Sequence, residues 1–347
     1  MIRALSVLFL TLALAACGAL PSLEGGLFCS HRPVADLPVR LDQGAVLVPA
    51  RINGVPVQME VDTGAMTTLI AGNAASVLRL PADPQRGARL HGTGGTITTR
   101  NALVDMFEFG GVTSPPRSIP TGPLARTFLG GGLVAGIVGA SDLAQFDVEL
   151  DVLNRRMTLW SVTGCAGRFA RWDEPYHVIP LTLGQGGLMY TTVQVNGQPV
   201  RAMIDWGARS SQLTLRAARR IGVTDAMLAN DPAGTGHGID QTAIALRYHR
   251  FEDVRVGPEI FRGLRISVGD LTLRDADMLL GMDYARTRRL WLSYATQQMF
   301  VAPRRRAAPA TLTPRPDVPI EGQTLTGDKP ARERRAPDDG LEELFRR

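Results

Sequence analysis

The sequence predicts a mainly β protein built from two homologous β-rich lobes, and three observations carry that expectation. The first is an internal repeat. Ile52-Asn53-Gly54-Val55-Pro56-Val57 is answered by Val195-Asn196-Gly197-Gln198-Pro199-Val200. Met59-Glu60-Val61-Asp62-Thr63-Gly64-Ala65 is answered by Ala202-Met203-Ile204-Asp205-Trp206-Gly207-Ala208, at a constant offset of 143 residues. The offset becomes 142 at Gly92-Thr93-Gly94 against Gly234-Thr235-Gly236, and stays there for Ile137-Val138-Gly139 against Leu279-Leu280-Gly281 and for Met157 against Met299. Copies this long, related by one net indel, indicate a duplicated domain and not a short-repeat solenoid. The second observation is local: each copy carries an Asn-Gly pair between apolar runs, the signal of a tight β-hairpin. The third is composition, with 37 glycines and only 6% aromatic residues, which favours short strands and turns over a helical bundle.

Within each copy the elements follow in order. After the Asn53-Gly54 turn, Val55, Val57, Met59 and Val61 alternate on one face of a strand, and Asp62 arrives at its end. Thr67-Thr68-Leu69-Ile70 reads as a short strand and Ala71 to Leu80 as a short helix. In the second copy a helix is expected over Leu215 to Ile221, stopped by Gly222. A glycine-rich turn, further strands, the apolar-apolar-Gly element and two closing strands complete each copy. Asp142 and Asp283, just after those glycines, are expected to cap short helices.

Two aspartates at equivalent strand ends point to acid–base chemistry. Carboxyls brought within hydrogen-bond distance cannot both ionise easily, so they share a proton, and one serves as base while the other serves as acid. Asp62-Thr63-Gly64-Ala65 and its partner Asp205-Trp206-Gly207-Ala208, with the Ile-Val-Gly and Leu-Leu-Gly elements in this order, resemble the retropepsin-like aspartic proteases. The form is single-chain, with two retropepsin-like β-barrel lobes in the pepsin-like bilobal architecture, and the resemblance spans roughly Asp42 to Val301.

The resemblance implies an endopeptidase in which Asp62 and Asp205 are catalytic and activate a water, with Thr63, Gly64, Trp206 and Gly207 supporting the dyad. It implies substrate-covering flaps at Gly92, Thr93 and Gly94 and at Gly234, Thr235 and Gly236. It implies a peptide or protein substrate and no cofactor. One position departs from the pattern. The family places Thr or Ser after each aspartate, whose hydroxyl bonds across the lobe interface; Thr63 keeps it and Trp206 does not, since an indole can donate one hydrogen bond and accept none. Two other readings therefore stay open: a peptide-binding or scaffolding protein that kept the cleft without turnover, and an envelope structural protein.

The termini differ in kind from the lobes. Arg3 and the apolar run Ala4 to Leu14 read as a targeting segment, too short to span a membrane as a mature helix. Leu14-Ala15-Ala16-Cys17 resembles the bacterial lipobox, which implies lipidation at Cys17 and a periplasmic, membrane-anchored protein. Gly18, with no aspartate after the cysteine, leans that resemblance toward the outer membrane. The remaining cysteines, Cys29 and Cys165, are even in number, and an oxidising compartment suggests a disulfide between them. The expected division is a signal peptide at 1–16, an anchored arm at 17–41, lobes at 42–165 and 166–302, and a disordered tail rich in proline and arginine at 303–347.

Other function classes find no support. The net charge of +5 is spread along the chain and comes from arginine, Lys329 being the only lysine, so no nucleic-acid footprint forms. Neither a His-Glu-x-x-His run nor paired Cys-x-x-Cys spacing occurs, so no metal is expected, and no Gly-x-Ser-x-Gly elbow is present. Gly130-Gly131-Gly132 lacks the surrounding βαβ unit of a dinucleotide loop. His91 and His237 read as turn residues, and the chain is expected to be monomeric.

Overall fold

The structure, a computed structural model, describes residues 28–124, 128–129, 132–238 and 242–304. The segment read as a targeting sequence, Cys17 and nearly all of the tail lie outside the described residues. Among the described residues no helix is long and apolar enough to cross a membrane.

Each lobe is a strongly curved sheet wound around its own apolar face. In the second lobe six strands close on themselves. Met189–Val195 pairs with Gln198–Ile204, followed in turn by Met278–Leu280, Gln212–Thr214, Glu259–Gly269 and Ala243–Val256, which returns to Met189–Val195. The first lobe repeats this order with two breaks. The 14-residue strand Ala243–Val256 corresponds to two pieces, Thr96–Val104 and Phe107–Phe109. The strand Glu259–Gly269 corresponds to Val112–Ser114 and Arg117–Gly122. Pro115-Pro116 explains the second break, because proline offers no N–H to a ladder.

The expected alternation is seen in Val55–Val61, where Val57, Met59 and Val61 are buried. Each such side chain contributes about 1.5–3 kcal/mol on leaving water. The helices come out shorter than expected, Gly72–Val77 and Leu215–Arg220. Thr214 caps the latter by accepting from Ala217 N at 3.1 Å.

A third, six-stranded sheet joins the lobes. Its centre is the antiparallel pair Asp147–Asp151 and Arg289–Ser293, with Val148 opposite Leu292 and Leu150 opposite Leu290. This sheet also takes in residues before residue 42. The segment read as an anchored arm contains Ser30–Pro38, an edge strand of the shared sheet, and Arg40–Asp42, which pairs with Ala45–Ile52. Strand pairing is thus already present before residue 42, because the edge of Arg156–Thr163 recruits a segment whose side chains show no strong apolar pattern.

That pairing also sets Ser30 opposite Thr163, bringing the flanking Cys29 and Cys165 to a Cα separation of 4.1 Å, joined by a disulfide. The bond closes a loop across a sequence separation of 136 residues. Chain-entropy arguments assign such a loop about 5 kcal/mol of stabilisation through the unfolded state. Replacing both cysteines by serine is expected to lower the unfolding free energy by up to this amount. Denaturant titration with and without a reducing agent checks it, and equal midpoints for variant and parent would exclude the bond from the folded protein.

Candidate active site

The aspartate loops are built twice on one plan. Asp62 follows Val55–Val61 and its N–H donates to Val138 O at 3.0 Å; Asp205 follows Gln198–Ile204 and donates to Leu280 O at 3.0 Å. These bonds tie each aspartate to the Ile-Val-Gly or Leu-Leu-Gly strand. Ala140 N then donates to Ala65 O at 2.8 Å and Met282 N to Ala208 O at 2.9 Å. The glycine of each element is required by that approach. A Cβ on Gly139 would lie 2.4 Å from Thr67 O, and one on Gly281 would lie 2.6 Å from the backbone carbon of Ser210.

The two carboxyls come together at the lobe interface, each against the loop that carries the other. Asp62 Oδ1 accepts from Gly64 N at 2.9 Å and Ala65 N at 3.0 Å, and Asp205 Oδ1 accepts from Ala208 N at 2.9 Å. The glycines serve the opposite lobe as well. A Cβ on Gly64 would stand 2.5 Å from Asp205 Cγ, and a Cβ on Gly207 would stand 2.4 Å from Asp62 Cγ. Each aspartate therefore lies over the other's glycine, and any larger residue would push the pair apart.

The cross-lobe hydroxyl bonds exist in one half only. Thr63 is buried; its Oγ1 donates to Ile204 O at 2.8 Å and accepts from Trp206 N at 2.9 Å. Trp206 is 1% exposed and packs in the large apolar core. The indole is packed in that core, while each carboxyl is seated over the opposite lobe's glycine.

A buried polar layer supports each loop. Thr68 Oγ1 hydrogen bonds to Asp142, whose carboxylate also pairs with Arg117 Nη1 at 2.8 Å. In the second lobe Ser211 Oγ and N donate to Asp283 at 2.7 and 2.9 Å. The expectation that these acids cap helices is corrected here: the N-caps of Ala140–Leu143 and Met282–Ala285 are Gly139 and Gly281, without side-chain caps. The acids lie inside the first turn and reach sideways to the hydroxyls. Thr68 and Ser211 were not singled out from sequence, although both hydroxyl and acid recur at nearly the repeat offset.

Of the flap positions, Gly92, Thr93 and Gly94 lie in the tip of the hairpin Ala82–His91 and Thr96–Val104, closed by Gly92 N to Gly95 O at 2.8 Å. The tip reaches the other lobe, with Thr93 O accepting from Thr272 N at 3.0 Å. Gly234, Thr235 and Gly236 lie in the equivalent second-lobe hairpin, as strand residues of Ala233–His237 paired with Leu246, Ala245 and Ile244. Residues 239–241, between its two strands, lie outside the described residues. A Cβ on Gly234 would meet the Tyr248 ring at 2.6 Å, so packing accounts for this glycine.

Among the described residues Cys29, His31 and Cys165 form the one group of three potential metal ligands, and the two sulfurs are bonded to each other. Among the described residues no histidine or third carboxylate closes on the dyad as a ligand set.

Burial, and then the charges of Asp205 and Glu60, hold Asp62 well above the usual carboxylate range, against the pull of the Gly64 and Ala65 N–H groups. Burial also pushes Asp205 up to about 6, opposed chiefly by the Ala208 and Gly207 N–H groups. Burial likewise raises Asp283 to about 6, opposed chiefly by the Ser211 N–H and hydroxyl. The folded state thus binds protons that the unfolded chain has released between about pH 4 and pH 6. Stability from these groups is fully present below the unfolded value and is lost as pH rises through the folded one. Unfolding free energy is expected to fall across that window, by on the order of 3 kcal/mol for Asp283. Asp283→Asn should flatten the slope; a rising profile in the parent would contradict the sign.

Comparison with known proteins agrees with this geometry. The family model described as aspartyl protease matches residues 48–141 and 191–284, the two copies separately and more than half of the chain. A 120-residue segment is 27% identical to DNA damage-inducible protein 1 of Cryptococcus neoformans, covering 35% of this chain and 26% of that protein. Another of 107 residues is 30% identical to UBA domain-containing protein Mud1 of Schizosaccharomyces pombe, covering 31% of each. The matched part is thus about a quarter to a third of those relatives' length. Among solved structures, an aspartic proteinase from Irpex lacteus is similar at a TM-score of 0.44 and 11% identity, over 80% of this chain and 98% of that one. With both copies matched and the aspartates paired at their interface, the chain belongs to the aspartyl protease family, in its retropepsin-like form.

Proposed function

We propose that the protein is an aspartic endopeptidase that hydrolyses peptide bonds in extended protein segments. The observation that carries this reading is the reciprocal seating of Asp62 and Asp205, each over the other's glycine. Two buried carboxyls in contact hold one proton between them. The ionised partner takes a proton from water, whose oxygen attacks the peptide carbonyl carbon. The protonated partner gives its proton to the carbonyl oxygen, and collapse of the tetrahedral intermediate breaks the C–N bond as the amine leaves protonated. Which aspartate starts as base is a property of the pair. The first-lobe hairpin, reaching over to Thr272, would cover the cleft and exclude water around the scissile bond.

The test is cleavage of an unfolded protein by the purified chain from acidic to neutral pH, with a pepstatin-type inhibitor as control. Inhibitable cleavage supports the endopeptidase. Inhibitor binding without cleavage favours the second reading, a peptide-binding scaffold, to which the half-missing hydroxyl lock at Trp206 would point.

The proposed location is the periplasmic face of the envelope, anchored through lipid on Cys17. Its support is the sequence Leu14-Ala15-Ala16-Cys17 behind a short apolar run. Labelled fatty acid incorporated by the parent and not by Cys17→Ser would support it.

A further inference from the structure

The second lobe reaches the first at the dyad by a route that the repeat does not contain. Arg209, four residues after Asp205, extends its Nη1 to Glu60 Oε1 at 2.6 Å. The same nitrogen donates to Gly207 O at 3.1 Å. The stem lies on the turn before Ala45–Ile52, where a Cβ on Gly44 would meet Arg209 Cδ at 3.0 Å. Glu60 is 19% exposed and sits two residues before Asp62 on the strand that delivers it. At the repeat offset, Glu60 corresponds to Met203 and Arg209 to Met66, so the pair has no symmetry mate. It stands instead at the interface where the residue-206 hydroxyl is missing.

We infer that the Glu60–Arg209 ion pair is a positioning element of the dyad, locking the Asp205 loop to the Asp62 strand in place of the cross-lobe hydroxyl that Trp206 cannot supply. The bond to Gly207 O matters because Gly207 is the residue on which Asp62 rests. A fixed Arg209 therefore fixes the separation of the carboxyls. The pair also sets the electrostatics. Glu60 raises the proton affinity of both aspartates, and the guanidinium balances its charge. The other ionisable groups of this region stand one layer back: Asp142 with Arg117 on Thr68, and Asp283 on Ser211.

The inference rests on the dyad reading above, and its test does not require turnover. The upper titration midpoint of the dyad is read from the pH dependence of unfolding stability, as the difference between each protein and its Asp205→Asn derivative. Arg209→Met should move that midpoint up by roughly 0.5–1 pH unit, because Glu60 is left unbalanced, and Glu60→Gln should move it down by a similar amount. Arg209→Lys should restore the parent midpoint, because it keeps the charge beside Glu60. Where the parent cleaves, kcat should fall in Arg209→Met with KM little changed, since the substrate is not contacted. A midpoint that is the same in parent, Glu60→Gln and Arg209→Met would overturn the inference and leave an ordinary surface ion pair, worth at most about 1 kcal/mol. An inactive parent would remove the endopeptidase proposal and leave this titration readable.

Discussion

Asparagine in place of Asp62 or Asp205 is expected to lower hydrolysis of an unfolded protein by roughly 10³- to 10⁴-fold, with the fold intact. The substitution keeps the shape over the opposing glycine and an oxygen to accept from Gly64 and Ala65, or from Ala208. It removes the shared proton. With one carboxyl gone the survivor has no partner to supply the acid when it acts as base. In Asp205→Asn the remaining Asp62 also loses a neighbouring charge that raises its proton affinity, so it ionises at lower pH. Steady-state cleavage of a quenched peptide across pH, beside circular dichroism to confirm folding, measures both effects. Full activity in either variant would mean that the contact between the carboxyls is not the source of chemistry.

Trp206→Thr restores the residue type that the family places after the second aspartate, yet it is expected to destabilise the protein by about 3–5 kcal/mol. The indole is 1% exposed and belongs to the core, so threonine leaves a cavity that surrounding strands fill only in part. A new hydroxyl bond across the interface returns about 1 kcal/mol, which does not offset the loss. Differential scanning calorimetry should show the midpoint falling by roughly 10 °C. A variant as stable as the parent would show that the core does not depend on the indole, and that the missing lock is a simple deletion.

Much of the molecule was readable from the chain. The duplication, the hairpins at Asn53-Gly54 and Asn196-Gly197, and the alternation ending at Asp62 are local patterns, each fixed by backbone sterics or by period-two burial. Repetition turned two weak motifs into a pair, and symmetry then required the pair to face itself. The first-lobe hairpin tip was readable for the same local reason. In the second lobe the equivalent Gly-Thr-Gly lies in a strand of the matching hairpin with Gly234 packed against Tyr248, and the strand length that decides this is not a local pattern.

What only the tertiary structure decided depends on contacts between distant segments. Ser30–Pro38 carries no strong apolar pattern and is a strand because a partner edge is available. Asp142 and Asp283 reach hydroxyls more than 70 residues away instead of capping the turns they begin. Glu60 and Arg209, separated by 149 residues, have no counterpart in the repeat and so left no signal in one sequence. The chain alone determined that two aspartates would be presented by equivalent strands. How closely they meet, and what holds the lobes together where Trp206 replaces a hydroxyl, was decided by side chains converging at an interface, which no local pattern encodes.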